Sequence, residues 1–323
     1  TKKWEDIYRL QAANVSFAHP HDMFEKLGVA ELANQSARAW LQGKVSDSFL
    51  RQFVDGVSRV NYGQDSSLNA FAEAISLAGA GLVGSLYGVQ EGNARVMEGL
   101  IRESKATLRM ERVTEVRACP AGRGYDVCTA AGCEAFTSVA LAAPLEAAKL
   151  KLGPGLSPAV VDRPYQITVA TFVAASGLSS DFFKTGAVVV SADTVVTTSN
   201  ASIPFKSVSL QGNSGDKKVY KLFSAEVPSQ ELLRRLFVNS TGEQAQFVWH
   251  AYPVLSPTPR WPPFRLHTSA STSASGGGGG LYYANAMESP VSGMETEAVA
   301  GKNVALLLLQ DLRRAYRAAA AGG

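Results

Sequence analysis

The residues with the most chemical potential lie near the C-terminal end. Leu281–Asn285 reads as a strand, and Ala286-Met287-Glu288 brings it to an acidic residue. Ser289-Pro290-Val291-Ser292-Gly293-Met294-Glu295 follows. Ser292 and Glu295 have the spacing of a capping box, which predicts a helix from Met294 to about Tyr316. Met294, Ala298, Gly301, Ala305 and Leu308 then share one face, and its small residues let the helix lie close to a sheet or a ligand. Gly293 leaves the first N–H groups uncovered, so this helix start could face an anion or a polarised carbonyl. An ordinary capped helix would carry the same residues.

A second stretch, Arg59-Val60-Asn61-Tyr62-Gly63-Gln64, is polar and aromatic and lies between two helical patterns. It reads as a plain connection or as a set of hydrogen-bonding groups for a polar headgroup. A third, Gly79-Ala80-Gly81-Leu82-Val83-Gly84, spells G-x-G-x-x-G, with Glu103 about 20 residues on. Its setting is wrong for a dinucleotide. The glycines should follow a strand and open a helix, whereas Asn69–Ala78 before them is helical and Ser85–Gly92 after them is polar and glycine-rich. An irregular glycine loop is expected. His19, His21, His250 and His267 show no triad logic, and no G-x-S-x-G is present. Glu295 and Glu297, at i and i+2, should point apart.

The wider composition sets bounds. With 323 residues, 46% hydrophobic and 18% charged, the chain can bury one large core or two ordinary ones. A net charge of +3 without a block of like charges argues against a nucleic-acid partner. Cys119, Cys128 and Cys133 form no C-x-x-C pair, and no His stands at ligand spacing, so no metal is expected. Cys128 and Cys133 could form a local disulfide; buried or idle thiols are the simpler expectation. No run of 18 apolar residues predicts a membrane-spanning helix. The start Thr1-Lys2-Lys3-Trp4 suggests a fragment or processed product. Sequons at Asn14, Asn34, Asn200 and Asn239 favour the secretory pathway.

These groups need elements to position them. Residues 4–60 read as helical, with Ser46-Asp47-Ser48 capping the last helix. Helical patterns over Leu68–Leu77 and Asn93–Ser104 follow. Thr107–Met110, Val113–Ala118, Tyr125–Thr129 and Ser138–Leu141 predict a small antiparallel sheet that stops at Ala142-Ala143-Pro144. The strongest strands are Gln166–Ala175, Val188–Ser191, Thr194–Thr198, Ser207–Leu210 and Val219–Phe223. Gln230–Phe237 is an amphipathic helix. Thr268–Gly280 is a Ser/Gly loop, and the tail after Arg317 should fray. The order of helices, sheet, sheet, helix, short strand and last helix suits an interleaved α+β arrangement rather than repeated βαβ units.

The Arg59–Gln64 block and Leu68-Asn69-Ala70-Phe71 resemble the prenylcysteine oxidases, also called prenylcysteine or farnesylcysteine lyases. Tyr165–Val173, Lys221-Leu222-Phe223-Ser224 and Trp249-His250-Ala251-Tyr252-Pro253 resemble the same family. Leu281–Glu288 with Met294-Glu295 is similar to its C-terminal flavin-binding segment. The resemblance implies an α/β (α+β) fold: an amine-oxidase-like, two-domain flavoprotein with interleaved FAD and substrate domains, whose N-terminal βαβ segment is missing here. Residues 1–316 would form the lyase domain. Within it, about 1–105 would be a helical substrate part, 106–150 and 281–316 FAD-domain segments, and 151–267 a mixed-sheet substrate part. Residues 268–280 would be a loop and 317–323 a tail.

The resemblance assigns Val113, Val116, Pro144, Glu288, Gly293, Met294 and Glu295 to FAD, and Asn61, Tyr62, Gln64 and Tyr252 to the substrate. It also implies that S-farnesyl- or S-geranylgeranyl-cysteine is oxidised. A hydride would pass from the prenyl carbon bonded to sulfur to FAD, and water would attack the thiocarbenium. Cysteine, a prenyl aldehyde and, through O₂, hydrogen peroxide would result. A lysosomal or vacuolar setting and peripheral membrane contact belong to the same expectation. An amine-oxidase-like enzyme with another substrate, or a flavin-free prenyl-binding remnant, are the other readings. The family's Glu-Gly-Gly-Asn stretch reads here as Gln90-Glu91-Gly92-Asn93, with a carboxylate side chain in place of the first glycine.

Overall fold

A computed structural model describes residues 2–82, 87–119, 124–158, 163–186, 190, 192–200, 202–241, 243–268 and 279–322. The chain opens with short helices: α1 (Lys2–Ala12), α2 (Pro20–Lys26), α3 (Ala30–Ala33), α4 (Ala37–Leu41) and α5 (Asp47–Phe49). A π-helical turn, Leu50–Val54, joins α5 to α6 (Asp55–Asn61). Ser46 Oγ accepts from Phe49 N at 3.2 Å, the cap that its sequence predicted. Next come α7 (Ala70–Leu77) and α8 (Ala94–Ser104). Gly79 and Gly81 lie in a π-helical turn, Ala78–Leu82, that prolongs α7. No strand precedes them, so the dinucleotide setting is missing there; Val83 and Gly84 lie outside the described residues.

A small sheet has the order β3-β2-β1-β5, from β1 (Glu115–Ala118), β2 (Tyr125–Thr129), β3 (Gly132–Phe136) and β5 (Lys151–Leu152). Strand β4 (Val139–Leu141) leaves this sheet, and α9 (Leu145–Ala148) follows it. Three expectations are corrected here. Thr107–Met110 forms no strand: Leu108 and Met110 are exposed with no neighbouring strand to pair with. Gly132–Phe136, not foreseen, pairs with β2 although every residue in it is exposed. Cys128 and Cys133 are not idle thiols. They face each other directly across β2 and β3 and form a disulfide.

The second sheet has the order β12-β6-β10-β9-β8. It consists of β6 (Tyr165–Ala175), β8 (Thr194–Val196), β9 (Ser207–Ser214), β10 (Lys217–Ser224) and β12 (Glu243–Pro253). The short strands β7 (Gly177–Leu178) and β11 (Phe237–Val238) pair beside it, flanked by α10 (Ser180–Phe183) and α11 (Gln230–Leu236). Val173, Leu222, Phe205, Leu233 and Leu236 form its core. Of the expected strand Val188–Ser191 only Val190 is described, bridged to Leu178.

A third sheet, β13-β14-β4, unites β13 (Arg265–Thr268) and β14 (Gly280–Tyr283) with β4, which runs parallel to β14. A 3₁₀ turn, Ala284–Glu288, and α12 (Met294–Gly322) complete the chain. The helix continues through the tail expected to fray. The Ser/Gly loop at 269–278 lies outside the described residues. One core joins α1, α2 and α7 to the third sheet and α12: Trp4 stacks edge-on against Phe24 and Phe71, and Phe24 against Trp261. Residues about 290 positions apart thus meet, and Gln11 Nε2 donates to Val299 O.

Candidate functional site

The C-terminal end of α6 and the first turn of α12 face one another. Tyr62, 5% exposed, donates its hydroxyl to Ser292 O at 2.9 Å and stands edge-on to Tyr252, with ring centroids 5.3 Å apart. Asn61 Nδ2 donates to Ser76 O at 3.1 Å and to Ser76 Oγ at 3.0 Å. These contacts fix one wall of a cavity of about 720 Å³. Gly293, Met294 and Glu297 form another wall, and Ile75, Met97 and Leu100 add apolar surface. Of the residues expected here, Asn61, Tyr62, Tyr252, Gly293 and Met294 come together.

Other expected residues lie behind the walls. Gln64 braces β12 from behind: its Oε1 accepts from Leu255 N at 3.1 Å and its Nε2 donates to Pro253 O at 3.4 Å. Glu288 accepts from Tyr165 at 3.0 Å and from Ser292 Oγ at 3.3 Å. Glu295 turns to α1 and accepts from Trp4 Nε1 at 2.9 Å and from the Tyr8 hydroxyl. The capping box is therefore not formed, because Glu288 in the preceding turn takes the Ser292 hydroxyl and α1 claims Glu295. Val113 and Val116 line an apolar groove of about 420 Å³ with Leu141, Ala142, Ala143 and Leu145. Pro144 caps α9 beside that groove, its carbonyl accepting from Ala147 N and Ala148 N.

Glu297 was foreseen only as pointing away from Glu295. It does so, and one of its carboxyl oxygens is buried without a hydrogen-bond partner among the described residues. Burial first, then the nearby Glu288 charge, pushes its pKa up to about 8; Arg163 opposes this. The wall thus carries a carboxylic acid that holds its proton at neutral pH. Its signal in sequence was its place one turn after Gly293 on the inward side of α12. Glu73, on α7 behind Asn61, is fully buried and is pushed up to about 7, chiefly by burial. Its Oε2 lies 2.5 Å from Ser58 Oγ, and that hydroxyl also reaches Val54 O at 2.8 Å. Ser58 Oγ is the donor to Glu73 Oε2, and that bond works against the burial that raises the Glu73 pKa.

A buried cation ties the neighbouring segments together. Arg163, 8% exposed, donates to both Glu146 oxygens, to Tyr283 Oη at 2.8 Å and to Ser289 Oγ at 3.2 Å. It joins β6, α9 and the 3₁₀ turn that leads into α12. Asn69 does similar work for α7: it caps Ala72 N at 2.9 Å and donates to Pro290 O at 2.9 Å and Leu255 O at 3.2 Å. Glu91 sits at φ 64°, a left-handed conformation that suits glycine better than a side chain. All four sequon asparagines are exposed. No helix among the described residues is long and apolar enough to cross a membrane. No cluster among them could hold a metal ion.

The fold is shared with two solved oxidoreductases. An oxidoreductase from Methanosarcina mazei superposes with a TM-score of 0.53 at 14% identity, covering 93% of this chain and 75% of that one. Cyclohexylamine oxidase from Brevibacterium oxydans IH-35A gives 0.52 at 14% identity, over 97% and 75%. The prenylcysteine lyase family model matches residues 1–320, and the chain belongs to this family. Farnesylcysteine lyase of Arabidopsis thaliana is 30% identical over 310 residues, 95% of this chain and 54% of the relative. Prenylcysteine oxidase 1 of Mus musculus is 28% identical, over 94% of this chain and 63% of the relative. The chain thus spans roughly half to two thirds of the length of these relatives.

Proposed function

We propose that this chain forms the substrate-binding part and the C-terminal cofactor-binding part of an FAD-dependent thioether oxidase acting on S-farnesyl- or S-geranylgeranyl-cysteine. The observation that carries this reading is the cavity where Asn61, Tyr62 and Tyr252 face the start of α12. It offers apolar surface from Ile75, Met97 and Leu100 for a prenyl chain and a few fixed polar groups for the amino-acid end.

The residues present fit a flavin. Gly293 brings no side chain to the start of α12, and its ideal Cβ position has only Thr296 Oγ1 nearby, at 3.5 Å. First-turn N–H groups there suit a polarised carbonyl or a developing negative charge. Val113, Val116 and the Ala142–Ala143 segment would hold the adenosine end in their apolar groove. When bound, the cofactor supplies the hydride acceptor. The protein's own part is positioning: Tyr62, held by Ser292, and Asn61, held by Ser76, present a rigid wall that orients the thioether. The apolar residues limit water to what hydrolysis of the oxidised thioether requires. The products would be cysteine, a prenyl aldehyde and, with O₂ as final acceptor, hydrogen peroxide. A lysosomal or vacuolar location, use of the four exposed sequons and peripheral membrane contact belong to this reading.

The test is peroxide release from S-farnesylcysteine by the FAD-loaded full-length gene product, with aldehyde and free thiol measured together. Equal yields of all three support the reading. Peroxide formed from a simple amine but not from the thioether would favour an amine-oxidase-like activity instead. Asn61→Ala should raise KM severalfold; an unchanged KM would remove Asn61 from the substrate site.

A further inference from the structure

On the far side of the Arg59–Gln64 segment a second cavity opens, of about 690 Å³. Its walls include Ile203, Phe205, Val227 and Leu232 as apolar surface, together with Arg59 and Lys206. Lys206 is only 7% exposed, and its ammonium is buried with no hydrogen-bond partner among the described residues. It lies against Gly63: a Cβ there would come within 2.5 Å of Lys206 Nζ. Arg59 donates through Nε to Thr197 O at 3.1 Å, and through Nη2 to Thr197 Oγ1 at 3.1 Å and Phe205 O at 3.3 Å. All three acceptors are neutral, and Nη1 has no partner among the described residues.

The nearby carboxylates are committed elsewhere. Asp65 accepts from Ser199 Oγ at 2.7 Å and from Ser67 N at 3.0 Å. Asp55 accepts from Ser66 N at 2.9 Å and from Arg38 at 3.2 Å. Glu226 also lines the cavity but is exposed. Burial and the Arg59 charge both push the Lys206 ammonium below its usual pKa, with no carboxylate acting on it in return. Among the described residues neither cation has an ion-pair partner, although Asp65 and Asp55 act on Arg59 from a distance, and burying a charge is costly unless something compensates it.

We propose that Arg59 and Lys206 form the head-group end of a second binding site, which takes an amphiphilic anion with a carboxylate or phosphate head on a hydrocarbon chain. The head meets Arg59 Nη1 and draws the flexible Lys206 side chain toward it, and the apolar wall takes the chain. The site is separate from the thioether cavity and does not rest on the reaction proposed there.

The experiment is calorimetric titration of the purified chain with octanoate, octyl phosphate, inorganic phosphate and, as control, octylamine. Saturable binding of octanoate or octyl phosphate in about the millimolar range is expected, with none for octylamine. The tighter of the two anions identifies the head group. Lys206→Met keeps the stem and removes the buried charge, so the variant should fold with an unchanged or higher Tm. Its affinity should fall about tenfold or more, the loss expected for a charge-assisted hydrogen bond. Equal binding by Lys206→Met, or no saturation by either amphiphile below about 10 mM, would overturn the site. Inorganic phosphate binding as tightly as octyl phosphate would overturn the amphiphile assignment.

Discussion

Glu73 and Glu297 are carboxyls whose proton is worth free energy to the folded chain. The folded pKa of Glu73 is about 7 against an ordinary 4.5, so the folded state holds the proton more tightly than the unfolded state. The stabilisation is complete below the unfolded value and is lost as the pH climbs through the folded one, a change of about 3 kcal/mol. Urea unfolding at about pH 4, below the unfolded value, and at about pH 8 should show the wild type losing that amount relative to Glu73→Gln. Parallel losses in both proteins would mean that Glu73 does not titrate in this window. Glu297 follows the same sign, with loss between 4.5 and about 8, and it also faces the ligand cavity. An uncharged prenyl alcohol should therefore bind several-fold more weakly above pH 8 than at pH 7, because the ionised carboxylate draws water into the cavity. Glu297→Gln should bind it equally at both. Neither carboxyl was legible as a site residue, because burial by distant segments, not local spacing, makes each of them act as an acid.

Arg163 is the point at which β6, α9 and the turn before α12 hold one another. Arg163→Met would leave Glu146 partly buried with no cation, which should cost about 1–3 kcal/mol in chemical denaturation. Adding Glu146→Leu to that variant should restore much of the loss, since a buried pair is worth far less than the penalty for breaking it. If the double variant is as unstable as the single one, Tyr283 and Ser289 rather than Glu146 carry the effect. The elements themselves were unevenly legible. The strand Tyr125–Thr129 has the bounds its pattern predicts, and Gln166–Ala175 falls one residue short of β6. These segments are rich in β-branched and aromatic residues and end at turns. Gly132–Phe136 carries no inside–outside pattern because it is exposed throughout and is held only by its pairing with β2. In β12, which went unread as a strand, the pairing with β6 slips at Glu243/Ala245 and at His250/Tyr252, so no simple period of two runs through it. At α12 the helix start was legible and the cap was not. Glu295 has the right spacing to cap its own helix, and only the fold shows that Trp4 and Tyr8 claim it.

The whole molecule presents two open surfaces that a flavin would connect: the start of α12 and the groove of Val113 and Val116. A dinucleotide bound across them needs its pyrophosphate cradled, usually by a glycine turn between a strand and a helix. Among the described residues no such turn occurs, since the glycines at 79 and 81 prolong α7. Two weak half-sites joined by an unneutralised pyrophosphate should exchange FAD quickly. The purified chain, incubated with FAD and passed through a gel-filtration column, should therefore emerge without a visible flavin absorbance band. If the band is retained in stoichiometric amount, the two surfaces suffice, and the pyrophosphate must be held by residues other than the glycine stretch. Gly79→Ala would then leave retention unchanged, whereas blocking the start of α12 with Gly293→Val would abolish it.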